Sequence, residues 1–69
     1  MERTAVVSSN IQSVGYDANT ETLEVEFKGN SIYHYSNVPE EVYNTLVIAE
    51  SVGKMLNLIV KGRYNYTRV

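Results

Sequence analysis

Pro39, the chain's one proline, divides it into two parts with different repeat periods, and that switch constrains the fold more than any other feature. Before it, Thr22–Phe27 alternates without a break. Leu23, Val25 and Phe27 fall on one face, Thr22, Glu24 and Glu26 on the other. This is the pattern of an antiparallel strand with one face buried and one face solvated. After Pro39 the apolar residues Val42, Leu46 and Ala49 recur at helical spacing, flanked by Tyr43 and Val47. Proline suits the first turn of a helix, where its missing N–H has no partner to lose. Glu40 and Glu41 come next, where acidic side chains favour the positive end of the helix dipole.

The remaining segments follow from these two anchors. Ile11–Asp17 reads as a strand, with Val14 and Tyr16 on one face and Ser13 and Gly15 on the other. Ala18–Glu21 has turn composition. Lys28-Gly29-Asn30 is a hairpin loop, since Gly and Asn tolerate positive φ. Ser31–Ser36 is a third strand, with Tyr33 and Tyr35 facing one way and Ile32 and His34 the other. Ser51 caps a second short helix whose stripe is Met55, Leu56, Ile59 and Val60, and Gly62 ends it. Arg63–Val69 alternates again. The expected class is α+β: a three-stranded antiparallel meander, two short helices and a C-terminal extended strand or tail. The core face of the middle strand is expected to be Leu23, Val25 and Phe27.

The 69 residues, 43% of them apolar, support one core and one domain, residues 1–69. A domain of this size buries only about 60% of its unfolded surface. Its stability margin is then about 3–5 kcal/mol. With no cysteine, disulfides and zinc–thiolate sites are excluded, which implies a reducing compartment or indifference to redox; a cytoplasmic setting is expected. The longest strictly apolar run, Leu46–Ala49, is far short of a membrane span, and the polar Met1–Asn10 holds no signal-peptide block. A three-stranded sheet has two edges to cover, which points to a homo-oligomer.

Charge is unevenly distributed. Residues 1–50 hold two cations, Arg3 and Lys28, against eight acids, a net of −6. Residues 51–69 hold Lys54, Lys61, Arg63 and Arg68 and no acid, a net of +4. A basic end on an acidic body attracts phosphate locally.

Catalytic readings are poorly supplied. His34 is the one histidine and sits between two tyrosines in a strand. Glu24 and Glu26 share a face, which suits a solvated strand better than an acid/base pair. No spacing suggests a metal site, and no cofactor is expected. Binding readings fare better. Six tyrosines offer rings for stacking and hydroxyls for hydrogen bonds, and Tyr64 and Tyr66 are interleaved with Arg63 and Arg68. Ser51-Val52-Gly53-Lys54 places a cap, a glycine and a lysine at a helix start, where free N–H groups attract anions. Asn57, Lys61 and Arg63 follow within two turns. The same segment also reads as a plain capped helix with a glycine for close packing.

Taken in order, Ser8-Ser9-Asn10-Ile11, Val14-Gly15-Tyr16-Asp17, Leu23-x-Val25-x-Phe27, Tyr33-x-Tyr35, Val38-Pro39, Ala49-x-Ser51-x-Gly53, Asn57, Tyr64-x-Tyr66 and Arg68-Val69 form one pattern. Over roughly residues 5–69 it resembles the KTSC domain. That module is named for its place at the C-terminus of some lysyl-tRNA synthetases, and it also stands alone in bacteria and phages. The resemblance implies one α+β module with a nucleic-acid-related role. Its polar positions fall on Ser8, Ser9, Tyr16, Asp17, Ser51, Gly53, Asn57, Tyr64 and Arg68, with no catalytic role for them. Two positions depart from the pattern. Met55-Leu56 stands where an aromatic pair usually precedes the asparagine, and Asn65 where a proline often separates the last tyrosines.

The expected function is therefore non-enzymatic binding of a phosphate-bearing ligand, RNA or a small nucleotide, including sequestration of a nucleotide signal in a phage-like setting. Ser51, Gly53, Lys54 and Asn57 are expected to hold phosphate. Lys61, Arg63 and Arg68 supply charge, and Tyr64 or Tyr66 stacks. The alternative is a protein-interaction or inhibitor module acting through the acidic strand face of Glu24 and Glu26 and exposed tyrosines.

Overall fold

The alternation of Thr22–Phe27 builds the centre of an antiparallel sheet. In the computed structural model of the chain, which describes residues 3–69, the elements are β1 (Arg3–Ala5), β2 (Ile11–Asp17), β3 (Thr22–Phe27), β4 (Ser31–Tyr35), α1 (Glu40–Val47), α2 (Val52–Ile59) and β5 (Tyr66–Arg68). The strands lie side by side in chain order, every neighbouring pair antiparallel. The class is the expected α+β, but the sheet has five strands where three were expected. The C-terminal piece pairs with β4, setting Tyr35 opposite Tyr66 and Tyr33 opposite Arg68. β1 was not foreseen. Arg3-Thr4-Ala5 has no apolar alternation, and all three residues are exposed. A ladder to β2 and the reach of Arg3 across the sheet hold it in place. The long edges of the expected meander are thus covered, and the outermost strands are three residues each.

Turn residues sit where backbone geometry requires them. Gly29 and Asn30 have φ of 96° and 69° in the β3–β4 hairpin, and Gly62 has φ of 79° just beyond α2. Pro39 caps α1 with extended backbone, and Glu40 and Glu41 occupy its first turn. The Ser51 hydroxyl accepts the Lys54 N–H at 3.3 Å and caps α2 as expected.

Both helices cover one face of the sheet. Ile11, Val14, Leu23 and Val25 from the strands meet Val38, Leu46, Val52, Leu56 and Val60, and all are buried. Leu23 and Val25 lie inside as expected, but Phe27 is only partly buried at the edge of the cluster. Tyr35 is 3% exposed, and burial raises its phenol above the usual value, with Tyr66 and Tyr33 pushing the same way. Tyr16 stacks on Tyr43 with ring centroids 5.4 Å apart and donates its hydroxyl to the Val38 carbonyl at 2.5 Å. Its phenol is also raised, first by burial and then by Glu21, Glu40 and Asp17. No helix among the described residues is long and apolar enough to cross a membrane.

Candidate functional site

The nine residues expected to bind ligand divide between the two ends of α2. At its start, Ser51, Gly53, Lys54 and Asn57 line a cleft of about 410 Å³ together with Val7, Ser8, Ser9, Asn10 and Glu50. Gly53 has a packing reason to be glycine here, since a Cβ on it would stand 3.3 Å from the Ser8 Oγ. That hydroxyl also accepts the N–H groups of Asn10 and Ile11, both at 3.3 Å. The bland reading of this segment, a capped helix fitted closely to a loop, therefore accounts for Ser51 and Gly53 on geometry alone.

At the other end of α2 the chain turns back at Gly62 and runs into β5. This builds a larger cleft, about 900 Å³, against the β3–β4 hairpin. Lys61, Arg63, Tyr64 and Tyr66 line it with Phe27, Ser31, Tyr33, Tyr35, Gly62 and Asn65. Arg68 joins at the rim by donating to the Ser31 hydroxyl at 3.1 Å. Five rings meet here: register puts Phe27, Tyr33, Tyr35 and Tyr66 on one face, and Tyr64 comes from the turn before β5. β3 sets Phe27 opposite Ser31 and Val25 opposite Tyr33, and β4 sets Tyr35 opposite Tyr66. Phe27 meets Tyr33 edge-on at 5.3 Å, and Tyr66 lies 5.1 Å from Tyr33 and 5.6 Å from Tyr35. Such contacts hold the rings rigid, while Tyr66 stays 59% exposed and free to stack.

The cations are positioned by the protein as well. The Lys61 ammonium stands 5.4 Å above the Phe27 ring, a cation–π geometry. Arg63 donates its Nε to the Leu58 carbonyl at 3.1 Å, near the negative end of α2. None of Lys61, Arg63 and Arg68 forms an ion pair among the described residues, and no carboxylate lines the cleft. Expectation had not placed Phe27, Ser31, Tyr33 and Tyr35 in a site. Part of the signal was present: alternation put Phe27 on one face of its strand and Tyr33 and Tyr35 on one face of theirs, but the β3–β4 register joins these faces and the pairing of β5 beside β4 turns them into a cleft.

The opposite face of the sheet is where the structure differs from a simply solvated strand. Arg3 bridges Glu24 and Glu26, each at 3.2 Å. Ser13 donates to Glu26 at 2.9 Å, and the His34 Nε2 lies 2.7 Å from the second oxygen of Glu24. Both carboxylates are held in a network across four strands, and the Glu24 side chain is only 15% exposed. The lone histidine thus lies on this face, away from the aromatic cleft. Among the described residues no group of three or more His, Cys, Asp or Glu side chains is placed to hold a metal ion.

Comparison with known proteins gives one consistent result. The KTSC domain model matches residues 7–64. An uncharacterized protein of Stutzerimonas stutzeri is 41% identical over 70 residues, covering 100% of this chain and 99% of that protein. A lysine–tRNA ligase of Nostoc punctiforme is 34% identical over 61 residues, 88% of this chain but 11% of the ligase. The crystal structure of a KTSC domain protein from Yersinia pestis superposes with a TM-score of 0.95 at 32% identity, over 99% of this chain and 96% of that one.

Proposed function

The chain belongs to the KTSC domain family, and we propose that this member is a non-enzymatic module that binds a nucleotide in the cleft between the turn after α2, the β3–β4 hairpin and β5. The observation that carries this reading is the composition of the lining: five aromatic rings and two cations, a third cation at the rim, and no carboxylate. Rings offer stacking worth about 1–3 kcal/mol per base. Guanidinium and ammonium groups in contact with Leu58, Ser31 and Phe27 offer charge-assisted contacts to phosphate. A volume near 900 Å³ lies within the range of about 300–1,000 Å³ usual for ligand clefts.

Two further observations favour binding over the alternatives. The lining holds neither histidine nor carboxylate, so the cleft lacks the groups that most often move protons in catalysis. The strand face that a protein-interaction reading would use has its acids already engaged by Arg3, Ser13 and His34. A match to a module within lysine–tRNA ligases agrees with a nucleotide or RNA ligand.

Calorimetric titration with uridine and adenosine monophosphates tests the reading. Binding is expected, with Tyr66→Ala weakening it by about 1–3 kcal/mol, the value of one stacked base. Absence of heat and of any thermal stabilisation by either nucleotide would reject it.

A further inference from the structure

We infer that the ligand is a single-stranded oligonucleotide whose backbone follows the exposed side of α2, from the aromatic cleft to the smaller cleft at the helix start; this rests on the nucleotide reading of the aromatic cleft. The two clefts lie toward opposite ends of α2, and exposed residues stand between them. Lys54, Asn57, Leu58 and Lys61 are all exposed. Lys54 and Leu58 are one helical turn apart on the outer side of α2, and Lys61 follows in the turn just beyond the helix end. Asn57 and Leu58 lie between the two lysines. Lys61 lines the aromatic cleft and Lys54 the smaller one, so each cleft holds a lysine near the exposed side of α2.

Charge favours an anionic strand along this path. Residues 51–69 contain four cations and no acid. Asp17, Glu21 and Glu40 gather instead around Tyr16, on β2, its turn and α1. Among the described residues, Glu50 is the one acid lining the smaller cleft, where Lys54 stands beside it. Leu58 is 66% exposed between the two lysines, an apolar surface for a sugar or a base face. A basic path ending on stacking rings is the usual arrangement for single-strand binding, with sites from about four nucleotides upward. A free mononucleotide fills only the aromatic end. It leaves Lys54 and Asn57 without a role.

The test measures uridine monophosphate, hexauridylate and hexathymidylate against the wild-type chain, Lys54→Ala and Lys54→Gln. At least one hexamer is expected to bind ten or more times tighter than the mononucleotide. Both variants weaken that hexamer up to about fivefold, as for one exposed charge contact. They also lower the slope of log K against log salt by about 0.7. Mononucleotide binding and melting temperature stay unchanged, because the Lys54 contribution to the helix cap is its backbone N–H. A hexamer no tighter than the mononucleotide overturns the inference while leaving the cleft reading intact. So does a hexamer insensitive to Lys54. Loss of all binding, mononucleotide included, removes both.

Discussion

The two faces of the sheet are built from alternate residues of the same strands, yet different forces hold them. On the helix side Leu23, Val25 and Val14 are fully buried and are held by burial and packing. On the other side Glu24, Glu26, Arg3, Ser13 and His34 are held by directional polar contacts among themselves. The contrast separates two uses of charge. Where a carboxylate lies opposite a cation, both are consumed in holding the sheet. The cations of the aromatic cleft have no such partners among the described residues and remain available to a ligand.

Substitutions that strike one face at a time sharpen this contrast. Leu23→Ala is expected to be the most damaging. It opens a cavity in the buried face and costs about 2–5 kcal/mol, comparable to the whole margin of about 3–5 kcal/mol for a domain this small. Urea denaturation should find the variant largely unfolded without denaturant. Phe27→Ala, at the edge of the same face, should cost less, about 2 kcal/mol, because Phe27 is only partly buried. If the two cost the same, the grading from core to cleft is wrong.

On the polar face, Glu24→Ala should cost about 1–2 kcal/mol. It removes the carboxylate shared by Arg3 and His34, whose hydrogen bonds are charge-assisted and partly shielded. Arg3→Ala in the Glu24→Ala background should add less than it does alone, since the two residues share one interaction. Fully additive effects in a double-mutant cycle would show that the network is only apparent.

How much of this was legible depended on how local the signal was. The β2–β4 meander, the Ser51 cap, the Gly62 stop and the facing of Leu23 and Val25 followed from period and turn chemistry, which a single segment displays. β1 could not be read in this way. Three exposed residues carry no period, and what fixes them is a long-range ladder and an arginine reaching two strands away. The aromatic cleft was half legible. Tyr64, Tyr66, Lys61, Arg63 and Arg68 stood out by composition, while Phe27, Tyr33 and Tyr35 read as core because their shared face is normally buried. Tyr35 is indeed buried, and whether the partly buried Phe27 and Tyr33 border a cleft is decided by where β5 lies, which no local pattern states. The expected union of Lys54 and Asn57 with Arg63 and Arg68 in one phosphate pocket fails for a related reason: the length of α2 stands between them.

Alkaline titration probes the helix face from another direction. Burial, then Tyr66 and Tyr33, raise the Tyr35 phenol above its usual value of about 10. The unfolded chain therefore loses this proton first. The stabilisation is fully present below about pH 10 and is lost as pH rises from there through the higher folded value. Tyr16 adds to the same loss, since ionisation also breaks its bond to the Val38 carbonyl. Melting temperature should be level to about pH 9 and fall above it. Tyr35→Phe should make that fall shallower. An equal fall in the variant would place the alkaline sensitivity elsewhere.

The smallest expected change in stability belongs to Arg68→Ala, and there the comparison of the two faces is most exposed to error. Arg68 lies on a three-residue edge strand, is exposed and makes one side-chain bond, to Ser31. Surface substitutions of this kind change stability by less than about 0.5 kcal/mol. If the unpaired cations of the cleft serve a ligand rather than the fold, the same substitution should weaken uridine monophosphate binding several-fold while the denaturation midpoint hardly moves. Arg3→Ala supplies the mirror image, lowering the midpoint and leaving nucleotide binding untouched, because its partners Glu24 and Glu26 lie on the opposite face. The two variants should therefore separate on a plot of stability against affinity. If both fall on one line, a single property would govern both faces, and the division of the charges between fold and ligand would have to be abandoned.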